Sequence, residues 1–409
     1  MRTRCQIAAV FTLCTAVLSA QDWTQWRGPN AAAVAAAFKA PAAWPDEPKL
    51  AWKAASAGAG HSSPVVSGTR VFLFTRIGEQ EALTAYDLAT GKQVWRQAYD
   101  APYDMNPAAR SHGKGPKSTP LVHGGRVFTF GISGVLSAFD ARDGRLAWRK
   151  DFKGQHAATA PEFGAAASPV AAADAIVQHV GGSKDGALTA FDPATGAVRW
   201  SWKGEGPAYA TPIVATFGGT RQLVTQSQAS VVALDPAKGT LLWQIPLSTP
   251  FDQNIVTAVV HEGLLIYSGL SKPATAVRVA QSAGKWAAEE AWKNPDVPMY
   301  MSSPVVAAGR ICGLTHRNRG QFFCLDGASG KTLWTSDQRQ GENAGIFVAG
   351  DLFVAGITDG TLLVLRNSPT AFEVVKRYKI ADSPVWAHPV PAGRGVLIKD
   401  ADTLAYWTF

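Results

Sequence analysis

The stretch Ala138–Lys150, "AFDARDGRLAWRK", decides the fold because it does not occur once. It returns as "AYDLATGKQVWRQ" at 85–97, "AFDPATGAVRWSW" at 190–202, "ALDPAKGTLLWQI" at 233–245 and "CLDGASGKTLWTS" at 324–336. Each copy holds an Asp, a Gly four residues later and a Trp four residues beyond the Gly. The Asp side chain can accept from nearby backbone amides and the Gly tolerates positive φ, so D-x-x-x-G reads as a tight corner between strands. The Trp then offers a large flat face from the following strand.

Working outward from the corner, the in-register tryptophans are Trp95, Trp148, Trp200, Trp243, Trp292 and Trp334. Upstream of each corner lies a second anchor, "SSPVV" at Pro64, "STPLV" at Pro120, "ASPVA" at Pro169, "ATPIV" at Pro212 and "SSPVV" at Pro304. It is degraded to "VTAVV" and "NAGIF" in units five and seven, and returns as "AHPVP" at Pro389. One unit therefore reads short strand, turn, alternating strand, tight turn, third strand, D-x-x-x-G corner, fourth strand. Four short antiparallel strands in roughly 40–50 residues is the period of a β-propeller blade.

The sequence predicts an all-β, eight-bladed propeller. Six fourth strands carry the Trp, and "FEVVKRYKI" supplies a seventh with Arg377 near the Trp place. The C-terminus, "GVLIKDADTLAYWTF", has no fourth strand left, while the N-terminal "PKLAWKAAS" has a spare one with Trp52 in register. Pairing the two would complete the last blade and remove two open sheet edges. The domains expected are a signal peptide at 1–20, a strap at 21–47 packed on the outside of the ring, and the propeller at 48–409. Helix propensity over the alanines of the strap is checked by Gly and Pro on both sides.

The corners and the Pro anchors together resemble the repeat of the pyrroloquinoline-quinone (PQQ)-type eight-bladed propellers. That superfamily includes quinoprotein alcohol dehydrogenases and BamB-like outer-membrane assembly factors. "DWTQWRGPN", "WPDEPKLAWKA" and "HGKGPKSTPLV" are similar to a group of exported bacterial PQQ-binding-like propeller repeat proteins. The resemblance covers the whole chain after the leader. It implies a fold more firmly than a function, because shared propellers do not share sites.

The 409 residues are 46% hydrophobic and 17% charged, enough for a large core and too apolar for disorder. "MRTRCQIAAVFTLCTAVLSA" has the charged start, apolar centre and small-residue end of a secretory signal, so export to the periplasm or medium is expected. The formal charge is +8. With no dense Lys/Arg run, a nucleic-acid partner is not expected. No later apolar run reaches the length of a membrane span. A monomer is expected.

After the leader only Cys312 and Cys324 remain, placed symmetrically about Asn318. A hairpin would set them face to face; a disulfide and two buried apolar thiols both satisfy the pattern. The dehydrogenases of the superfamily hold their quinone with calcium, acidic and amide ligands and a vicinal cysteine pair. There is no such pair here, and Asp87, Asp140, Asp192, Asp235 and Asp326 are corner aspartates with a structural task. The motifs G-x-S-x-G, Walker A, H-E-x-x-H and C-x-x-C are all missing. The expectation is a non-catalytic binding or scaffold protein of the cell envelope, holding another envelope protein or a small polar ligand. A PQQ-binding redox protein is the alternative, and PQQ enters by resemblance alone.

The less repetitive residues mark where binding would occur. Each innermost strand is led in by a loop at one rim of the channel. These lead-in loops read "GAGHSSP", "RSHGKGPKSTP", "PEFGAAASP", "GPAYATP", "FDQNIVTA", "MYMSSP", "QGENAG" and "VWAHP". They direct His61, Lys117, Tyr209, Asn254, Tyr300, Glu342, Asn343 and His388 toward one mouth, with Arg110, His112 and Lys114 making it locally basic. Polar rims that merely hydrate the channel give the same pattern.

Overall fold

The computed structural model describes residues 22–55 and 57–409; the expected signal peptide lies outside them. Eight four-stranded antiparallel sheets succeed one another around an axis, and the first strands of neighbouring blades meet there. Blades one to seven span residues 65–100, 121–150, 170–202, 213–246, 259–294, 305–335 and 344–379. Blade eight takes three strands from 390–408 and its outermost strand, Lys49–Ala54, from the other end of the chain. Trp52 pairs opposite Tyr406, with ring centroids 5.8 Å apart. The ring is shut by the clasp of N-terminal and C-terminal strands that the sequence predicts.

Asp87, Asp140, Asp192, Asp235 and Asp326 each accept backbone amides within their own corner. The Trp docks on the corner of the next blade. Trp148 Nε1 donates to Pro193 O at 3.1 Å, and Trp52, Trp200 and Trp292 repeat the bond to Leu88, Pro236 and Gly327. The corner glycine lies flat against that indole: a Cβ on Gly196, at φ 71°, would come within 2.7 Å of Trp148. Glycine is needed there twice, for its backbone and for the missing side chain. Trp95 stacks on Gly144 in the same way, although its Nε1 is buried without a partner among the described residues. Trp243 instead donates to Gln222 Oε1, and Trp334 donates to Ser368 O.

In blade seven the register puts Lys376, rather than Arg377, opposite the third strand just before the bulge where Trp stands elsewhere. Blade eight offers it no corner, because that blade's last two strands come from opposite chain ends. Trp44, Tyr378 and Phe409 pack together there instead, and Lys376 pairs with Asp46 at 2.7 Å.

The strap departs from expectation. Residues 22–35 do not lie on the outer wall; they cross the axis and stop one end of the channel. Trp23 exchanges backbone bonds with Val66 of blade one, and Thr24 O accepts from Val122 of blade two. Arg27 donates to Ser303 O and Pro304 O before blade six, while Ala33 and Ala35 bond Val348 of blade seven. The alanines form no α-helix; one three-residue 3-10 turn, Pro29–Ala31, is all that appears, and Gly28, Asn30, Ala31 and Ala33 have positive φ. The small side chains suit this path because the axis leaves little room, and the strap's backbone groups find partners on the inner strands.

Cys312 and Cys324 face each other across the blade-six hairpin, Cα atoms 4.1 Å apart, and their sulfurs are bonded. Both are buried in the core beside Trp334, away from the mouth.

Candidate functional site

The Pro anchor explains how eight lead-in loops come to one mouth. The residue before the Pro supplies a hydroxyl that accepts an amide from the blade before it. Ser63 N donates to Thr119 Oγ1, Thr119 N to Ser168 Oγ, Ser168 N to Thr211 Oγ1 and Thr257 N to Ser303 Oγ, at 2.9–3.2 Å. His388 N closes the belt onto Ser63 Oγ at 2.9 Å. Bonds between buried partners hold each loop in register with its neighbour. The belt positions of blades seven and eight are Ala344 and His388, which carry no hydroxyl. Ala344 N turns back to Ser302 Oγ.

Above the belt opens a cavity of about 410 Å³. Trp26 from the strap reaches up the axis to form its floor, donating Nε1 to Thr257 Oγ1 at 2.9 Å and packing on the His388 ring at 4.3 Å. Of the residues the sequence singled out, His61, His112, Lys117, Tyr209, Tyr300, Asn343 and His388 line the cavity. Arg110, Lys114, Asn254 and Glu342 do not. Asn254 is fully buried and staples the loop below, donating to Ser227 O and Leu247 O and accepting from Thr249 Oγ1. Arg110 and Glu342 are exposed around the rim, and Lys114 offers its carbonyl to Arg76.

Sequence reasoning missed the aromatic half of the lining. Phe163, Phe251 and Trp386 lie in lead-in loops already recognised, but polar residues drew the choice; Glu162, Gln253 and Met301 were passed over in the same loops. Asn106 belongs to the long connection into blade two. Trp26 was missed because the strap was placed outside the ring. Trp386 sits edge-on to His112 at 4.7 Å, and Phe163 lies 6.1 Å from Tyr209 and 6.4 Å from Phe251.

Burial sets the protonation of the site. Desolvation pulls the His388 pKa down to about 3 and that of His61 to about 4, so both are neutral at ordinary pH. His61 Nε2 lies 2.7 Å from His112 O and must be the protonated nitrogen. Lys117 donates to Phe163 O at 2.6 Å, and burial lowers its pKa to about 8. Tyr209 is pushed up by burial. The one carboxylate in the lining, Glu162, is exposed and holds Asn106 Nδ2 at 2.8 Å.

These residues do not fit a calcium-held quinone. Among the described residues no three His, Cys, Asp or Glu converge to hold a metal. The cysteines are bonded to each other in blade six. The donors at the mouth are imidazole, amide, hydroxyl and one ammonium, a set suited to binding organic groups rather than a hard cation.

Fold and site together define the class: an eight-bladed propeller clasped by its own chain ends, plugged at one end of its axis and open to an aromatic-walled cavity at the other. The sequence matches the family described as "Outer membrane protein assembly factor BamB" over residues 30–113 and 79–336, and the chain belongs to that family. BamB of Yersinia pestis is 26% identical over 361 residues, covering 85% of this chain and 84% of that protein. The crystal structure of BamB from Moraxella catarrhalis superposes with a TM-score of 0.64 at 15% identity, over 88% of this chain and 98% of that one. Quinohemoprotein alcohol dehydrogenase from Comamonas testosteroni gives 0.67 at 14% identity, over 95% and 80%. At such identities the two structures show a common fold only. No helix among the described residues is long and apolar enough to cross a membrane.

Proposed function

We propose that this protein is a binding scaffold of the cell envelope that holds a partner protein on its lead-in face. The observation that carries the reading is Phe251. It is 68% exposed, the most exposed large apolar side chain described, and it stands at the cavity edge. Its backbone is left-handed, at φ 57° and ψ 30°, a conformation that costs a non-glycine residue about 1–3 kcal/mol. Within the chain the ring gains only an edge contact with Phe163, little return for a strained loop that pushes it into water. It gains more in an interface, where exposed aromatics surrounded by polar groups become anchors. Membership of a family named for outer-membrane assembly supports a protein partner and an envelope setting.

Replacing Phe251 with a photoreactive phenylalanine analogue and irradiating envelope fractions tests this. A discrete adduct with an outer-membrane assembly component is expected, along with loss of co-purification in Phe251→Asp. The same adduct from Val198, exposed on the outer wall of blade three, would remove the face from consideration, as would Phe251→Asp co-purifying normally.

A further inference from the structure

Below the rim the cavity has a character that partner docking does not account for. Two cations stand at it with no carboxylate paired to them; Glu162, which lines the cavity, is exposed and accepts from Asn106. Arg27 is 1% exposed beneath the floor, its guanidinium spent on the carbonyls of Ala31, Ser303 and Pro304. It lies close enough to His388 to depress that ring's protonation. Lys117 in the wall has one carbonyl partner and further N–H bonds to give. Among the described residues neither forms an ion pair, and the carboxylates nearest the mouth, Glu162 and Glu342, are exposed in solvent.

The departures of the repeat point the same way. Blades seven and eight abandon the belt hydroxyl, and there His388 and Asn343 enter the cavity lining. His388 is 6% exposed and its ring nitrogens have no hydrogen-bond partner among the described residues. Asn343 is 5% exposed; Ser302 satisfies its Oδ1, and its Nδ2 is left over. Neither residue's spare nitrogen is sealed off in the core; both stay open to the cavity, where a ligand can meet them. Beside them Trp26 and Trp386 present flat apolar faces. The volume falls within the range of small-molecule pockets.

We propose that the cavity is a binding site for a small aromatic acid. Its carboxylate meets the Lys117 ammonium, its ring lies on the indoles of Trp26 and Trp386, and a second polar group bonds His388 or Asn343. The positive field of Arg27 under the floor selects an anion without itself touching it. The proposal does not rest on the protein partner at Phe251, which stands at the edge of the same cavity, because none of the groups assigned to the acid is Phe251.

Calorimetric titration of the whole protein with 4-hydroxyphenylacetate, and with 4-hydroxyphenylacetamide as its uncharged isostere, tests it, with tryptophan fluorescence as a second readout. The acid should bind at least about tenfold more tightly than the amide and quench the indole signal. Lys117→Met should lower acid affinity to that of the amide while leaving the amide unchanged, and Lys114→Met, outside the lining, should change neither. Equal affinity for acid and amide in the unmodified protein overturns the proposal without recourse to any variant. So does full acid affinity in Lys117→Met, or no binding of the acid at about 5 mM. The crosslink from position 251 is read separately, so either idea can fail alone.

Discussion

The two ends of this ring are built on opposite rules. At one end the D-x-x-x-G corners are near copies, each receiving the indole of the blade before it: Trp148 on Gly196, Trp200 on Gly239, Trp292 on Gly330. At the other end the lead-in loops share only the belt position, a hydroxyl residue in blades one to six. Otherwise they differ in length, charge and aromatic content. Repetition at the corners is what a load shared among like blades requires, since each interface must solve the same packing problem. Variety at the mouth is what a single asymmetric ligand or partner requires, since no two blades meet the same part of it. The residues that break the repeat, Ala344 and His388 in the belt, are also at the mouth.

Acid is the strongest way to separate the two ends. His61, His388 and the buried His179 all have folded-state pKa values pulled below 6.5, to about 4, about 3 and about 4, chiefly by burial. The unfolded chain therefore binds more protons than the folded one below pH 6.5, and stability falls as pH is lowered through that window. At pH 5 each neutral imidazole is expected to cost about 2 kcal/mol. The corner carboxylates Asp140, Asp192 and Asp326 are shifted down by hydrogen bonds, so their contribution persists until the pH drops below the ordinary carboxylate range. Hydrogen exchange at pH 5 should show the lead-in loops opening while corner amides stay protected; equal loss at both ends would dissolve the contrast.

Trp148→Ala attacks the corner end. It removes an indole only 8% exposed and is expected to cost about 3–5 kcal/mol in urea unfolding. Gly196→Ala tests the same contact from the facing blade. The added methyl meets the Trp148 ring at a left-handed backbone, and about 2 kcal/mol is expected. If Gly196→Ala is neutral, the glycine is there for its backbone only. The smallest effect belongs to the mouth: Phe251→Asp should leave unfolding free energy within about 0.5 kcal/mol while abolishing co-purification of the partner.

Legibility followed the same division. The corners and the Trp register were readable because a contact repeated around a ring leaves a repeated trace, and the clasp of Trp52 on Tyr406 followed from counting strands. The rule that innermost strands are fed from one rim brought His61, His112, Lys117, Tyr209, Tyr300, Asn343 and His388 to the cavity lining. Asn254 misled because a buried amide that staples a loop and one that faces a ligand are the same letter. Lys376 taking the Trp position over Arg377 depends on a bulge, a one-residue shift that periodicity does not report.

Composition and local pattern were enough to specify blade, count and closure, because each of those depends on contacts whose partners recur at a fixed spacing. The path of residues 22–35 did not. Nothing in "DWTQWRGPNAAAVAA" says whether it lies outside the ring or along its axis, since small residues and turns satisfy either. That choice was made by the assembled barrel of inner strands, which leaves backbone partners and a narrow apolar shaft for that segment to fill. The cavity floor, the buried guanidinium beneath it and the indole above exist only because the shaft was filled.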